Sequence, residues 1–323
     1  MTPNIGLIEE LKAVKPDLKI TYIGSQNGLE KDLLSDQPVD FKTIPVGKLR
    51  RYFDLQNLTD MFKVPIGVIK ATYLIRSLKP NLVFSKGGYV GLPVVIGAWL
   101  NRVPVVIHES DSVPGLTTKI TKRFASESWS SYAIDGFVQV DMPIRDFLTK
   151  GDLKKFKHDS KPTLLAMGGS QGAQGINDFI AQNLDELTAK FQVIHITGTG
   201  KSLNKQAKDY IPFEYLKQEL ADAYAAADYI LTRSGAGTLT ELKALQKKAI
   251  LIPLPTNRSR GEQLTNAKLF AEENPAIVIP QDELNLQRFE NAIQDLQKRD
   301  FEPHEPEASA SNRLLAWMLK MEA

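Results

Sequence analysis

Residues 163–175, TLLAMGGSQGAQG, constrain the fold of this chain more than any other stretch: a short apolar run stops at two glycines, and a helix-compatible segment follows within a few residues. Glycine alone lets backbone come close to a diphosphate, and the N–H groups left free at the start of the next helix point at an anion with a favourable dipole. The same turn also joins strand to helix in α/β domains that bind nothing, so a single copy leaves ligand binding open. Two further glycine turns accompany apolar runs, SKGGYVG at 85–91 and RSGAG at 233–237. Three such turns in 323 residues point to a nucleotide or sugar-phosphate enzyme built from two similar halves.

A chain of this length exceeds what one core usually supports, so two α/β domains are expected, each burying a full sheet. Forty basic residues against thirty-eight acidic ones give a formal net charge of +2, which argues against a broad nucleic-acid surface. With no cysteine, disulfides, thiolate catalysis and a cysteine zinc site are excluded. The four histidines, His108, His158, His195 and His304, lie far apart without metal-ligand spacing. No apolar run reaches the roughly 18–20 residues that span a bilayer.

Apolar runs at 19–23, 82–84, 104–107, 163–166, 192–196, 229–231, 249–252 and 276–279 alternate with segments of helical periodicity, which predicts parallel sheets covered on both faces. The charged stretch 141–162, with Pro143, Gly151 and Pro162, reads as the domain junction. The expected division is a first domain at 1–144, completed by a C-terminal helix at 308–323, and a second at 145–307. Thr2-Pro3-Asn4 has the form of a helix N-terminus, and 5–14 reads as the helix. In a doubly wound domain such a helix follows a strand and a loop. Either this fold begins with a helix, or the first strand and its turn are absent from the chain.

The motifs SKGGYVGLP (85–93), PVVIHESDSVPGLTTK (104–119), MGGSQGAQGIN (167–177) and TRSGAGTLTE (232–241), in this order over nearly the whole chain, resemble the MurG family, the undecaprenyl-diphospho-muramoylpentapeptide β-N-acetylglucosaminyltransferases of peptidoglycan synthesis. The resemblance implies an α/β GT-B fold, two Rossmann-like parallel-sheet domains facing across a cleft, with acceptor on the first half and UDP-N-acetylglucosamine on the second. It implies that Gly169, Ser170, Gln171 and Gly172 meet the donor diphosphate. Ser234, Gly235 and Ala236 then approach the uracil and diphosphate, Glu241 accepts from the ribose hydroxyls, and Gln263 and Asn266 hold the sugar. Arg145 stands where the family has an arginine pointing at the donor. The family usually has a bulkier residue at Gly237, and many members have a glutamine where this chain has Glu262.

Each of these residues also has an ordinary structural reading. Ser170 and Gln171 could simply cap a helix, and Glu241 could be a first-turn acidic residue favoured by the helix dipole. Gln263 and Asn266, at i and i+3, share one helical face that either reaches a ligand or is solvated. On the acceptor side the resemblance points to Asn4, Gly87, Gly88, Tyr89 and Glu109. Glu109 ends a buried strand at the carboxyl edge of the sheet, where it is a candidate sugar partner or base. His108 is either part of that side or a strand-end residue satisfied by backbone, and His195 reads as a core histidine. Residues 42–79 carry eight basic residues and two acidic ones interleaved with Phe53, Leu55, Leu58, Met61, Phe62, Val64 and Ile66. That pattern suits an anionic membrane surface, or else a helix with a solvated basic face. Trp99 either adds to this patch or fills the core.

The resulting expectation is a peripheral enzyme on the cytoplasmic face of the membrane. It would move N-acetylglucosamine from UDP, with inversion, to an undecaprenyl-linked muramoyl-pentapeptide, without metal or organic cofactor and without nucleic acid. The alternatives are another GT-B glycosyltransferase or a nucleotide-sugar epimerase, or a UDP-sugar-binding protein of impaired activity. The family places a strand, a glycine turn and a histidine base before Thr2-Pro3-Asn4, so this chain is expected to bind donor yet transfer it poorly.

Overall fold

The computed structural model describes residues 2–26, 31, 34–35, 37–47, 56–156, 161–169, 172–203, 205–255, 261–301 and 309–322. The chain divides into two compact units, Met1–Pro143 with Pro306–Ala323, and Ile144–Glu305.

In the first unit α1 (Thr2–Val14) leads to β1 (Thr21–Ser25) and β2 (Asp40–Ile44), which pair in parallel as a two-stranded sheet. Then come α2 (Gln56–Leu78), β3 (Val83–Ser85), α3 (Gly88–Leu100), β4 (Val105–Glu109), α4 (Leu116–Thr121), β5 (Glu127–Ser130) and β6 (Val138–Gln139). Strands β3-β4-β5-β6 form a separate parallel sheet in that order. All five residues of β4 are buried. Val105 and Ile107 pack with Ala71, Ile75, Val95 and Ala98 of α2 and α3. Val106 joins Leu7, Leu11 and Trp129 on the opposite face. Both faces being covered explains why the strand reads as an unbroken apolar run rather than an alternating one. Helices α2 and α3 approach closely at Gly97, where a Cβ would stand 2.9 Å from the Thr72 nitrogen.

The second unit contains β7 (Thr163–Met167), α5 (Gln174–Gln182), α6 (Leu184–Lys190), β8 (Gln192–Ile196), β9 (Tyr210–Phe213), α7 (Glu219–Ala226), β10 (Tyr229–Thr232), α8 (Ala236–Ala244), β11 (Ala249–Leu251), α9 (Glu262–Glu273), β12 (Ala276–Val278) and α10 (Leu286–Gln297). Its six parallel strands run β12-β11-β10-β7-β8-β9. Leu164 and Ala166 face one core with Ile176, Phe179 and Phe289, while Leu165 and Met167 face another with Tyr224, Leu239 and Phe270. The chain steps from β7 outward to β9 and then restarts at β10 on the other side of β7. The carboxyl ends of β7 and β10 therefore flank the switch point, where ligands of open α/β sheets collect.

The last helix, α11 (Ala310–Glu322), lies in the first unit: Ala310 N–H donates to Asp141 O at 3.0 Å, Ser311 bonds Glu10, and Trp317 Nε1 donates to Glu127 at 2.5 Å.

Four short strands, β2, β5, β6 and β9, appear where the apolar runs predict none. Their sequences DFKTI, ESWS, VQ and YIPF mix polar or proline residues with apolar ones, and three of the four (β2, β6 and β9) sit at a sheet edge.

Candidate active site

Both glycine turns of the second unit lie at the switch point. The first follows β7. Gly172 has φ +67° and a Cβ there would stand 2.0 Å from the Thr197 carbonyl oxygen, so only glycine lets this turn close against the loop after β8. Its N–H donates to Gly169 O at 3.0 Å. Gly169 also has positive φ but a Cβ there would meet nothing within 4 Å, so its outer side is open. Ser170 and Gln171 lie outside the described residues. Helix α5 then starts with Ala173 as its N-cap and no side-chain cap, which leaves its leading N–H groups for an external acceptor.

The second turn follows β10. Gly235 caps α8 with no side-chain bond, and open space stands where its Cβ would be. Ala236 is the first residue of that helix. Ser234 is buried and its hydroxyl donates to Gln263 O at 2.8 Å. Gln263 Oε1 in turn accepts from Leu254 N–H at 3.1 Å. Asn266 is buried entirely. On the shared helical face Gln263 is half-buried and its amide oxygen braces the turn after β11, while Asn266 lies within the fold. Arg233, which the sequence singles out only as the start of a glycine turn, donates to Ile252 O and Pro253 O at 3.0 and 3.1 Å and ties β10 to the end of β11.

Glu241 is buried in α8. One carboxylate oxygen accepts from Arg145 Nη2 at 3.1 Å and the other from the Tyr224 hydroxyl at 2.9 Å. Burial raises the Glu241 pKa, and the Arg145 charge and the two hydrogen bonds pull it back. Burial and the neighbouring carboxylate push the Tyr224 phenol well up, so it stays a neutral donor. Arg145 lies 4.8 Å over the Phe147 ring, and its buried Nε has no partner among the described residues. This trio joins residues 96 positions apart, Arg145 and Glu241, and Tyr224 carries no motif that would reveal it.

His195 is a core residue. Its Nδ1 meets the Tyr210 hydroxyl at 3.0 Å and its Nε2 meets Asn177 Oδ1 at 3.1 Å, and burial lowers its pKa to about 4. The imidazole is neutral and fully engaged, which suits structure and not proton transfer.

In the first unit the turn after β3 places Gly87 as the N-cap of α3 and Gly88 as its first residue, both at positive φ, and the helix has no side-chain cap. Tyr89 OH lies 3.5 Å from Ser25 Oγ, and Asn4 Nδ2 lies 3.5 Å from Tyr22 OH. Lys86 Nζ stands 3.2 Å from His108 Nδ1, while His108 Nε2 faces Val140 O at 3.3 Å. With Nε2–H donating to that carbonyl, Nδ1 accepts from the lysine. Burial, then the lysine charge, holds the His108 pKa well below its usual value. Burial likewise brings Lys86 down to about 7 against the pull of Glu109 and Asp111.

Glu109 is not placed as a base. Its Oε1 accepts from the N–H groups of Ser110 and Asp111 at 2.9 and 3.1 Å, and its Oε2 accepts from Gly115 N–H at 3.0 Å and the Thr118 hydroxyl at 2.5 Å. Four donors occupy both oxygens, so the carboxylate organises the loop that leads into α4. No group of three or more His, Asp or Glu side chains among the described residues could hold a metal ion.

The glycosyltransferase family 28 N-terminal domain matches residues 1–129, and the glycosyltransferase family 28 C-terminal domain matches residues 163–316. A UDP-N-acetylglucosamine–N-acetylmuramyl-(pentapeptide) pyrophosphoryl-undecaprenol N-acetylglucosamine transferase of Clostridium tetani is 41% identical over 304 residues, which cover 90% of this chain and 84% of that protein. Among solved structures, MurG of Acinetobacter baumannii superposes with a TM-score of 0.73 at 22% identity, covering 98% of this chain and 95% of that one. UDP-GlcNAc 2-epimerase of Neisseria meningitidis, bound to UDP-GlcNAc, has a TM-score of 0.66 at 12% identity over 99% of this chain and 96% of that one. These two likenesses show a shared fold.

Proposed function

The chain belongs to the family of UDP-N-acetylglucosamine–N-acetylmuramyl-(pentapeptide) pyrophosphoryl-undecaprenol N-acetylglucosamine transferases, and on that premise we propose that it moves N-acetylglucosamine from UDP to a lipid-linked muramyl-pentapeptide in peptidoglycan synthesis. The observation that carries the donor half is the pair of uncapped helix starts behind glycine turns on adjacent strands, β7 and β10, at the switch point. Their N–H groups suit a diphosphate, and they stabilise the charge that grows on the departing UDP without a proton transfer. Glu241, held by Arg145 and Tyr224, offers its remaining lone pairs to the ribose hydroxyls.

The glycine turn before α3 is proposed to hold the acceptor diphosphate, with Lys86 adding positive charge when protonated. Glu109 contributes by fixing the loop opposite this turn. On α2, Ile66, Ile69 and Tyr73 are exposed on the face that carries Lys70, and on α3 Trp99 and Leu100 are exposed as well. The Trp99 ring packs edge-on against Phe124, next to exposed Lys122 and Arg123. Aromatic and aliphatic side chains among basic ones suit peripheral attachment to anionic lipid, proposed here for the cytoplasmic face of the membrane. Among the described residues no helix is long and apolar enough to cross a membrane.

Calorimetric titration with UDP tests the donor site. Glu241→Ala is expected to weaken binding by about 1.5–3 kcal/mol, because a charged acceptor of two hydroxyls is lost. Unchanged affinity would remove Glu241 from the site. Transfer of labelled N-acetylglucosamine to a lipid-linked muramyl-pentapeptide analogue tests the reaction, and formation of a sugar epimer instead of a transferred sugar would overturn it.

A further inference from the structure

The Tyr224 side chain is fully buried on α7, and its ring belongs to a core cluster with Leu165, Met167, Leu239 and Phe270. A buried phenol needs a hydrogen-bond partner, and a backbone carbonyl would serve. Here the partner is a carboxylate in the candidate donor site: the hydroxyl donates to one oxygen of Glu241 at 2.9 Å, while Arg145 Nη2 donates to the other at 3.1 Å. Enclosed in the core, the hydroxyl is out of reach of a ligand. Whatever Tyr224 does for the site it does through Glu241.

The last torsion of a glutamate is broad, so a single donor leaves the carboxylate free to turn about its own axis. A donor at each oxygen fixes its plane. Of the two supports Tyr224 is the stiffer, because its ring is enclosed, whereas the long Arg145 side chain keeps 16% exposure. Each oxygen retains a further lone pair, and with the plane fixed both lie ready for two neighbouring hydroxyls at once. Protonation would spoil this. Burial raises the Glu241 pKa, while the Arg145 charge and the bonds from Tyr224 and Arg145 lower it; among the described residues these are the charged and titratable groups that act on it. Without the Tyr224 bond Glu241 takes up its proton at higher pH, and a protonated acid no longer accepts equally at both oxygens.

We propose that Tyr224 is a positioning residue for donor recognition: from the core it holds the Glu241 carboxylate in the plane that meets both ribose hydroxyls, and so makes the site selective for a ribonucleotide over its 2′-deoxy analogue. This rests on the reading of Glu241 as the acceptor of the ribose hydroxyls. A site built to bond a hydroxyl rejects an analogue lacking it more strongly than packing alone can, provided its acceptor cannot turn away.

The test is calorimetric titration of the full chain with UDP and with 2′-deoxy-UDP across the acid side of neutral pH. The unaltered chain is expected to prefer UDP by at least about tenfold. Tyr224→Phe, which keeps the packed ring, should shrink that preference to about threefold or less, chiefly by weakening UDP, and should move the loss of UDP affinity on acidification to higher pH. A 3-fluorotyrosine placed at 224, a stronger donor of nearly the same shape, should move that loss to lower pH and keeps the test open if the phenylalanine variant does not fold. Equal weakening of both nucleotides by Tyr224→Phe, or an unmoved preference and pH profile while Glu241→Ala abolishes the preference, overturns the proposal and leaves Glu241 in the site. If Glu241→Ala itself leaves the preference intact, the ribose reading falls and the proposal with it.

Discussion

In the second unit the parallel sheet is continuous from β12 to β9, whereas in the first β1-β2 and β3-β6 stand apart around a cavity. The polar groups inside them differ accordingly. His195 sits within the closed sheet and is satisfied on both nitrogens by Tyr210 and Asn177. Lys86, lining the cavity of the open sheet, holds a proton only against burial, beside His108. A closed sheet settles its polar groups internally.

The sharpest way to break this comparison is at the glycines of the two turns. Gly172→Ala in the second unit adds a Cβ 2.0 Å from the Thr197 oxygen at positive φ and is expected to cost more than about 3 kcal/mol. Gly88→Ala in the first unit has positive φ but a free space, and should cost about 1 kcal/mol. Urea unfolding of both variants decides, and equal costs would mean that the two turns are not packed differently.

Next in size is Arg145→Met, which leaves the Glu241 carboxylate without its cation. The side chains are 16% and 10% exposed, so the loss is expected to be about 2–4 kcal/mol, below that of a fully buried pair. Tyr224→Phe removes the other bond and should cost about 1–2 kcal/mol. A double-mutant cycle with Glu241→Gln that gives no coupling would dissolve the trio.

Titration separates the units by direction and window. The unfolded chain protonates His195 below about pH 6.5, while the folded chain does so only near pH 4, so the second unit loses stability as pH falls through that interval, by about 1–3 kcal/mol. Lys86 works higher up. Unfolded, it keeps its proton to about 10.5, and folded only to about 7, so the first unit gains stability as pH rises between those values. All three tryptophans, Trp99, Trp129 and Trp317, lie in the first unit, so fluorescence reports its unfolding alone. Lys86→Met should flatten the alkaline gain, and His195→Asn the acid loss. The smallest expected effect is at the surface: Lys70→Glu with Lys122→Glu should weaken binding to anionic vesicles by about 1 kcal/mol per residue, and salt should do the same to the unaltered chain. Equal binding to neutral and anionic vesicles would leave the patch a solvated face.

The strands that are buried on both faces were legible as apolar runs, because covering both sides of a parallel sheet removes the alternation that would otherwise disguise them. Edge strands such as DFKTI and YIPF were not, since half their surface answers to solvent and their pairing is decided by neighbours distant in sequence. Of the candidate site, the glycine turns could be read because the backbone conformation dictates the residue. The partners of Glu241 could not, as Tyr224 reaches it from another helix and looks in sequence like any aromatic core residue. Asn266 and Gln263 show the same limit: their spacing gives a shared face, but only packing determines that one is enclosed and the other spoken for.

The clasp of α11 on the first unit sets the order in which the molecule can be made. Ser311 bonds Glu10 across 301 positions of sequence, and Ala310 completes the backbone at Asp141, whereas the second unit is built from one uninterrupted stretch, Ile144–Glu305. Loop closure over so long a span is slow compared with contacts inside a contiguous unit. On a ribosome the second unit can therefore reach its final state while the first still waits for residues made after it, and during that interval α1 and the inner face of β5 remain uncovered. Chaperone demand and aggregation at high expression should then trace to the part of the protein that is synthesised first and finished last.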